Sequence, residues 1–142
     1  MKRIVIATAT VVEQTLALSA LHGCLSGGDT PVLGTDREAA LRAMIPPLAA
    51  TLALSLGTVV TRWETDDQAI ALTLRDASAD TADAVAPAIE QWLARMLASQ
   101  LWASAAPALA REASAEASRL GQMIASGLTA GGYPAAVRGC DY

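Results

Sequence analysis

An uninterrupted run of nineteen uncharged residues, Ala43 to Thr61, constrains the fold of this chain more than any other feature. Its length is close to the ~20 apolar residues that cross a bilayer as a helix. Pro46, Pro47 and Gly57 interrupt the run, together with three threonines and one serine, and these residue types break helices or favour turns and strands. We therefore expect a buried helix followed by a strand, in preference to a membrane span.

The helical part of this run belongs to a predicted helix that begins at Asp36. Thr35 and Glu38 have the spacing at which a hydroxyl and a carboxylate satisfy two free amides at a helix start. Apolar residues then recur every three or four positions, as on one buried face: Leu41, Met44 or Ile45, Leu48, Leu52 and Leu56. The Pro46–Pro47 pair predicts either a kink or two helices that meet at Ile45.

Alternating residues predict a β-hairpin within residues 58–76. Apolar and polar positions alternate from Val59 to Glu64 and again from Ile70 to Arg75, on either side of an Asp66–Asp67 turn. Because an isolated two-stranded hairpin is marginal in water, the β-like segment Lys2 to Thr8 is a candidate third strand.

Three more helices are predicted. The first runs from Thr10, which has the capping spacing with Glu13, to about His22 and stops at Gly23. Another begins at about Thr81, and its apolar stripe is Ile89, Leu93, Met96, Leu97 and Leu101, flanked by Trp92 and Trp102. The last restarts at Pro107, and its stripe is Leu109, Ala113, Ala117, Leu120, Ile124 and Leu128.

These elements predict an α+β fold that is mostly helical. We expect one domain, residues 1–142, in which about four helices form a bundle with a small antiparallel hairpin. Residues 1–8 would form an N-terminal strand or arm, and residues 133–142 a C-terminal tail.

The sequence contains no motif of catalytic or metal-binding chemistry. His22 is the only histidine, and with Cys24 it makes a His-x-Cys pair, which is not a metal site; Cys24 and Cys140 are expected to be plain thiols. The acidic residues around the hairpin lack the order of a calcium loop: Asp66, Asp67, Asp76, Asp80 and Asp83. Ser26-Gly27-Gly28 lacks the lysine of a phosphate-binding loop. We predict no catalytic residue, no cofactor and no metal.

Two other functions stay open as alternatives. Lys2-Arg3, the following apolar residues and Cys24 superficially resemble a lipoprotein signal, although Glu13 and Gln14 interrupt the apolar stretch. An exported or membrane-associated protein is the first alternative. A small enzyme that uses carboxylates as acid and base is the second.

The composition favours self-association. The mean hydropathy is +0.36 and only 17% of the residues are charged, which leaves few groups to hydrate the surface of a monomer. Ten basic and fourteen acidic residues, without a basic stripe, argue against free nucleic acid as a partner. Tryptophan and arginine are enriched at protein interfaces, so the candidate interface residues are Trp102, Trp63, Arg62, Arg75 and Arg138.

The order of elements also resembles a known family. The residues that carry the likeness are Thr35-Asp36-Arg37-Glu38, Gln100-Leu101-Trp102 before the break at Pro107, and Arg111-Glu112-Ala113. In these the chain resembles small virion proteins of tailed phages and prophages, of the neck or head-to-tail adaptor (connector) type. Such proteins end in a basic tail. The last segment of this chain, Tyr133 to Tyr142, contains one basic residue, Arg138.

The resemblance implies a homo-oligomeric ring in the virion that contacts portal and tail or neck proteins and performs no catalysis. DNA would pass through the lumen of the ring without sequence-specific binding, and no membrane would be involved.

Overall fold

The computed structural model describes residues 2–25, 38–66, 68–75, 79–103 and 106–132. In chain order these form strand β1 (Lys2–Ala7), helices α1 (Thr8–Leu25) and α2 (Glu38–Ser55), strands β2 (Val60–Thr65) and β3 (Ala69–Leu74), and helices α3 (Ala79–Trp102) and α4 (Pro107–Gly132). The predicted fold class, α+β and mostly helical, is confirmed. The C-terminal tail, residues 133–142, lies outside the described residues.

The three strands form one antiparallel sheet in the order β1-β3-β2. Along β1, Ile4 and Ile6 are buried while Arg3 and Val5 are exposed, which is the alternation of a sheet with helices on one face only. The N-terminal segment is thus the third strand that the hairpin needs, and it pairs with β3 from Lys2–Leu74 to Ala7–Ala69.

Helix α3 lies at the centre of the helical layer and contacts the other three helices as well as β1. The α1–α3 contact includes a hydrogen bond from Gln14 Nε2 to Glu90 Oε2 of 3.1 Å. The predicted stripes are the buried faces, with Ile45 and not Met44 fully buried on α2. The largest fully buried aliphatic side chains are Ile6, Leu41, Ile45, Leu52, Ile70, Leu72, Leu74, Ile89, Leu93, Leu97 and Ile124.

Helices α3 and α4 form an antiparallel pair that packs through small residues. Ser99 Oγ of α3 donates to the carbonyl of Ala110 at 3.0 Å, and a Cβ built on Gly121 would lie 3.5 Å from Trp92 Nε1. Buried Ala113 and Ala117 lie between these contacts on α4. The chain has no phenylalanine, and these small side chains let the two helices approach closely.

Helix α1 differs from the prediction at both ends. It begins at Thr8 and not at Thr10, because the Thr8 amide donates to the carbonyl of Gln68 at 3.0 Å and strand bonding passes directly into the helix. At its other end the helix continues through Gly23 to Leu25. A glycine inside a helix costs only about 1 kcal/mol relative to alanine, so it did not stop this one.

Helix α2 is a single element through both prolines, which excludes one of the two predicted alternatives, the junction of two helices at Ile45. Pro46 and Pro47 lie on the exposed side, where water can hydrate carbonyls that lose their donor amides. The predicted start at Asp36 lies outside the described residues.

The run from Ala43 to Thr61 covers a helix and then a strand, as predicted, but only one face of the helix is buried: Pro46, Pro47 and Leu54 are exposed. Between α2 and β2 lie a turn and a short 3₁₀ helix, Gly57–Val59. Among the described residues, no helix combines the length and the apolar character that crossing a membrane requires.

Replacing glycine with alanine should have opposite effects on stability at different positions of this fold. Gly121→Ala and Gly127→Ala should each stabilise the protein by about 0.5–1 kcal/mol, because the added methyl meets Trp92 or Val85 at ordinary contact distances, 3.5 and 3.9 Å, and alanine favours the helix. Gly57→Ala should destabilise it by about 1–2 kcal/mol, because Gly57 has φ +62°. Urea denaturation measures all three, and a loss of stability in Gly121→Ala would contradict the close but unstrained α3–α4 packing.

Candidate functional site

The solvent face of the sheet forms a shallow polar groove. Its floor is Ala71 and Thr73 of the central strand, and its walls are Arg3 of β1 with Arg62 and Glu64 of β2; the groove encloses about 250 Å³. The register places these residues together, because Arg3 and Arg62 both pair with Thr73 across β3. Small residues in the middle strand and long ones on the outer strands therefore produce the groove.

Glu64 holds the two arginines on this face. It forms a close ion pair with Arg62, and its Oε2 lies 3.8 Å from Arg3 Nη2. All three side chains are at least half exposed, so water and salt screen these pairs and each contributes little to stability. The pairs orient charges on a surface; they do not hold the sheet together.

The outer edge of β1 carries backbone groups that point away from the sheet. The bond from the Thr8 amide to Gln68 makes those two residues a hydrogen-bonded pair of the β1–β3 ladder. Such pairs alternate along an antiparallel ladder, so the even-numbered residues of β1 bond to β3. The N–H and C=O groups of Arg3, Val5 and Ala7 consequently face the outer edge.

The same reasoning applies to β2. The Asp66 amide donates to Ala69 at 3.0 Å, so the even-numbered residues of β2 bond to β3. The backbone groups of Trp63 and Thr65 face outward. Within the described part of the chain no strand pairs with the outer edge of β1 or of β2.

Each edge also exposes a large apolar side chain. Val5 of β1 is 58% exposed and Trp63 of β2 is 40% exposed. Val5 lies on the solvent face, whereas Trp63 pairs with buried Leu72 and lies on the helix side of the sheet. Open backbone groups beside exposed apolar side chains are the features through which strands of different chains associate.

The predicted interface residues divide into three groups. Trp63 and Arg62 lie on the edge strand β2, and exposed Arg75 follows β3, where its amide donates to Val59 at 2.8 Å. Trp102 is 1% exposed in a small cluster with Ala98, Ala110 and Ala113, so its indole serves the core of the chain. Arg138 lies outside the described residues.

Three residues of the site were not among the predicted interface residues. Arg3 and Val5 join the surface through the pairing of β1 with β3, and Glu64 joins it through the pairing of β2 with β3. The alternation in the sequence could have placed Arg3 and Val5 on the outer face. The register that brings Arg3 to Glu64 has no local signal, because it joins segments about seventy residues apart.

The predicted acidic cluster has a structural role at Asp66. Its Oδ1 accepts the amides of Gln68 and Ala69 at 2.7 Å each and so closes the hairpin turn. Asp67 and Asp76 lie outside the described residues. In the described ranges no three His, Cys, Asp or Glu side chains come close enough to hold a metal.

A second cavity of about 340 Å³ lies beside this turn, lined by Thr8, Ala39, Arg42, Ala43, Ile45, Pro46 and Asp66. The Thr8 hydroxyl is buried and has no hydrogen-bond partner among the described residues.

Comparison of the chain with protein-family models, with curated proteins and with solved structures found no match.

The two hydrogen bonds to Asp66 make the hairpin turn sensitive to pH. The amides of Gln68 and Ala69 lower the pKa of the Asp66 carboxyl below its usual value. The Asp66 carboxylate stabilises the folded protein fully above the pKa that this group has in the unfolded chain, about 3.9. This stabilisation is lost as the pH falls through the lower pKa that the group has in the folded protein. Asp66→Asn should therefore lower Tm at pH 7 and have a much smaller effect at pH 2. Thermal unfolding of both proteins across this range gives the comparison, and an equal difference at all pH values would contradict it.

Two tryptophans should respond differently to truncation. Trp102→Ala leaves a large cavity in the α3–α4 core and should cost about 3–5 kcal/mol of unfolding free energy. Trp63→Ala removes a side chain that is 40% exposed and should cost clearly less. Urea denaturation of dilute protein measures both, and equal losses would contradict the separation of core from surface.

Proposed function

We propose that this protein is a structural subunit of a tailed-phage or prophage particle, one copy in a ring at the head-to-tail junction. The observation that carries the proposal is the sheet of the described residues, in which both edges are open and each has outward backbone groups and an exposed apolar side chain. A strand edge of this kind is completed by another strand. A chain with two such edges can contact a neighbour on each side, as every subunit of a ring does.

The composition of the chain supports the same proposal. Few charged residues and a positive mean hydropathy leave apolar area for contact between subunits. Arg62 and Trp63, of residue types enriched at interfaces, lie on β2 at one edge. The element order and the residues around Trp102 and Arg111, which resemble neck and adaptor proteins, supply the virion as the location.

In this proposal the ring contacts portal and tail components and catalyses no reaction. DNA passes through its lumen, and the net charge of −4 on each subunit reduces adhesion to the phosphate backbone. The protein is then a virion component assembled in the host cytoplasm.

The mass of the protein in solution tests this proposal. Light scattering behind a sizing column, over a wide concentration range, should give one mass that is a fixed multiple of 14.6 kDa, because a closed ring leaves no free edge for further growth. If the ring requires a portal or tail component, it should appear only when that component is added. A monomer under all these conditions would overturn the proposal.

A further inference from the structure

The outward backbone groups of the two edges are complementary in parallel pairing. β1 and β2 each run antiparallel to β3, so they point in the same direction. In a parallel ladder a residue of one strand forms its two hydrogen bonds with the residues just before and just after the residue that lies opposite it on the other strand. The Val5 amide can donate to the Trp63 carbonyl of a second copy, and the Val5 carbonyl can accept from the Thr65 amide. This register places Val5 opposite Glu64 of that copy.

The same register keeps the faces of the two sheets aligned. Val5 and Glu64 both lie on the solvent face, since each pairs with Ala71 in its own chain. Ile4 and Trp63, one position earlier on each strand, both lie on the helix side. Because opposite residues in a ladder share a face, all helices of joined copies lie on one side of the sheet.

The side chains favour β2 as the partner of β1. Strand β1 carries Lys2 and Arg3 and no acidic residue, whereas Glu64 is the only acidic residue in the three strands. A second β1 would add only cations to this edge, whereas β2 brings the Arg62–Glu64 ion pair, in which Arg62 lies opposite Arg3 and the Glu64 carboxylate lies diagonal to it. On the helix side, Trp63 of one copy would lie against Ile4 at the edge of the next copy. This contact would remove the exposed area of the Trp63 side chain from water.

We propose that β1 of one copy adds to β2 of the next in parallel, with Val5 opposite Glu64, and that this junction continues the sheet around the ring. The inference rests on the proposed ring. It goes further because it names the two strands, their direction and the residues that the second copy contributes: Trp63, Glu64 and Thr65. A two-fold pairing of β1 with β1 would instead close at a dimer.

A cysteine pair tests the junction directly. In a background with Cys24→Ser and Cys140→Ser, Val5→Cys and Glu64→Cys are combined in one chain. Within a chain these positions flank Ala71 and lie two strand spacings apart, roughly 9.6 Å, which exceeds the ~7 Å limit for a disulfide. Between copies they lie directly opposite. Oxidation should give a ladder of covalent dimers, trimers and larger species on a non-reducing gel, while either single-cysteine variant stays uncrosslinked.

The outcomes separate this junction from the ring itself. A ladder in the double variant alone supports the proposal. Dimers of the Val5→Cys variant alone would show two-fold pairing and overturn it. A ring mass by light scattering without cross-links would overturn the junction but leave the ring. A monomeric mass without cross-links would overturn both.

A second variant removes one hydrogen bond of the junction and none within the chain. Val5→Pro deletes an amide that points outward, and proline is tolerated at such edge positions. We expect roughly tenfold weaker association with an unchanged far-UV circular dichroism spectrum. Val5→Thr, which keeps the amide and the β-branched shape, is the matched control. Undiminished assembly of a folded Val5→Pro protein would overturn the proposal.

Discussion

The pairing of β1 with β3 is the interaction on which the rest of this structure depends. It joins residues 2–7 to residues 69–74, so a long stretch of chain must be closed before the ladder forms. Burial of Ile4, Ile6 and Leu72 beneath the helices offsets that entropic cost. Without β1, the hairpin would be an isolated pair of strands, which is marginal in water. The first helix also depends on this pairing, because it begins at the residue where the ladder ends.

The parts of the fold that were predictable are those that local periodicity encodes. The stripes on α2, α3 and α4 are the buried faces because a 3.6-residue repeat of apolar residues reports which side of a helix meets the core. The ends of α1 were not predictable from caps, since a long-range hydrogen bond to Gln68 starts the helix earlier than Thr10. Two adjacent prolines did not end α2, because both lie on its exposed side and water can replace the lost donors.

The candidate site was only partly predictable for a related reason. Trp63 and Trp102 were both predicted at an interface from residue type alone, yet one lies partly exposed on an edge strand of the described sheet and the other in the core. What separates them is tertiary: among the described strands β2 pairs with β3 alone, whereas the end of α3 is covered by α4. Residue type marks the candidates for a surface, and only the register of distant segments decides between them.

Small side chains between α3 and α4 impose a constraint of size on the future variation of this sequence. Ala113 and Ala117 are buried at a contact that Ser99 and Gly121 hold close. A larger apolar residue would suit the chemistry of these positions but not their volume, and overpacking costs as much as many cavities. Leu120→Ile or Ile124→Leu would keep the side-chain volume and would be tolerated more easily. Substitutions at the buried alanines of α4 should therefore be limited more strictly by side-chain volume than by hydrophobicity. On the exposed face of α4 neither property should limit them.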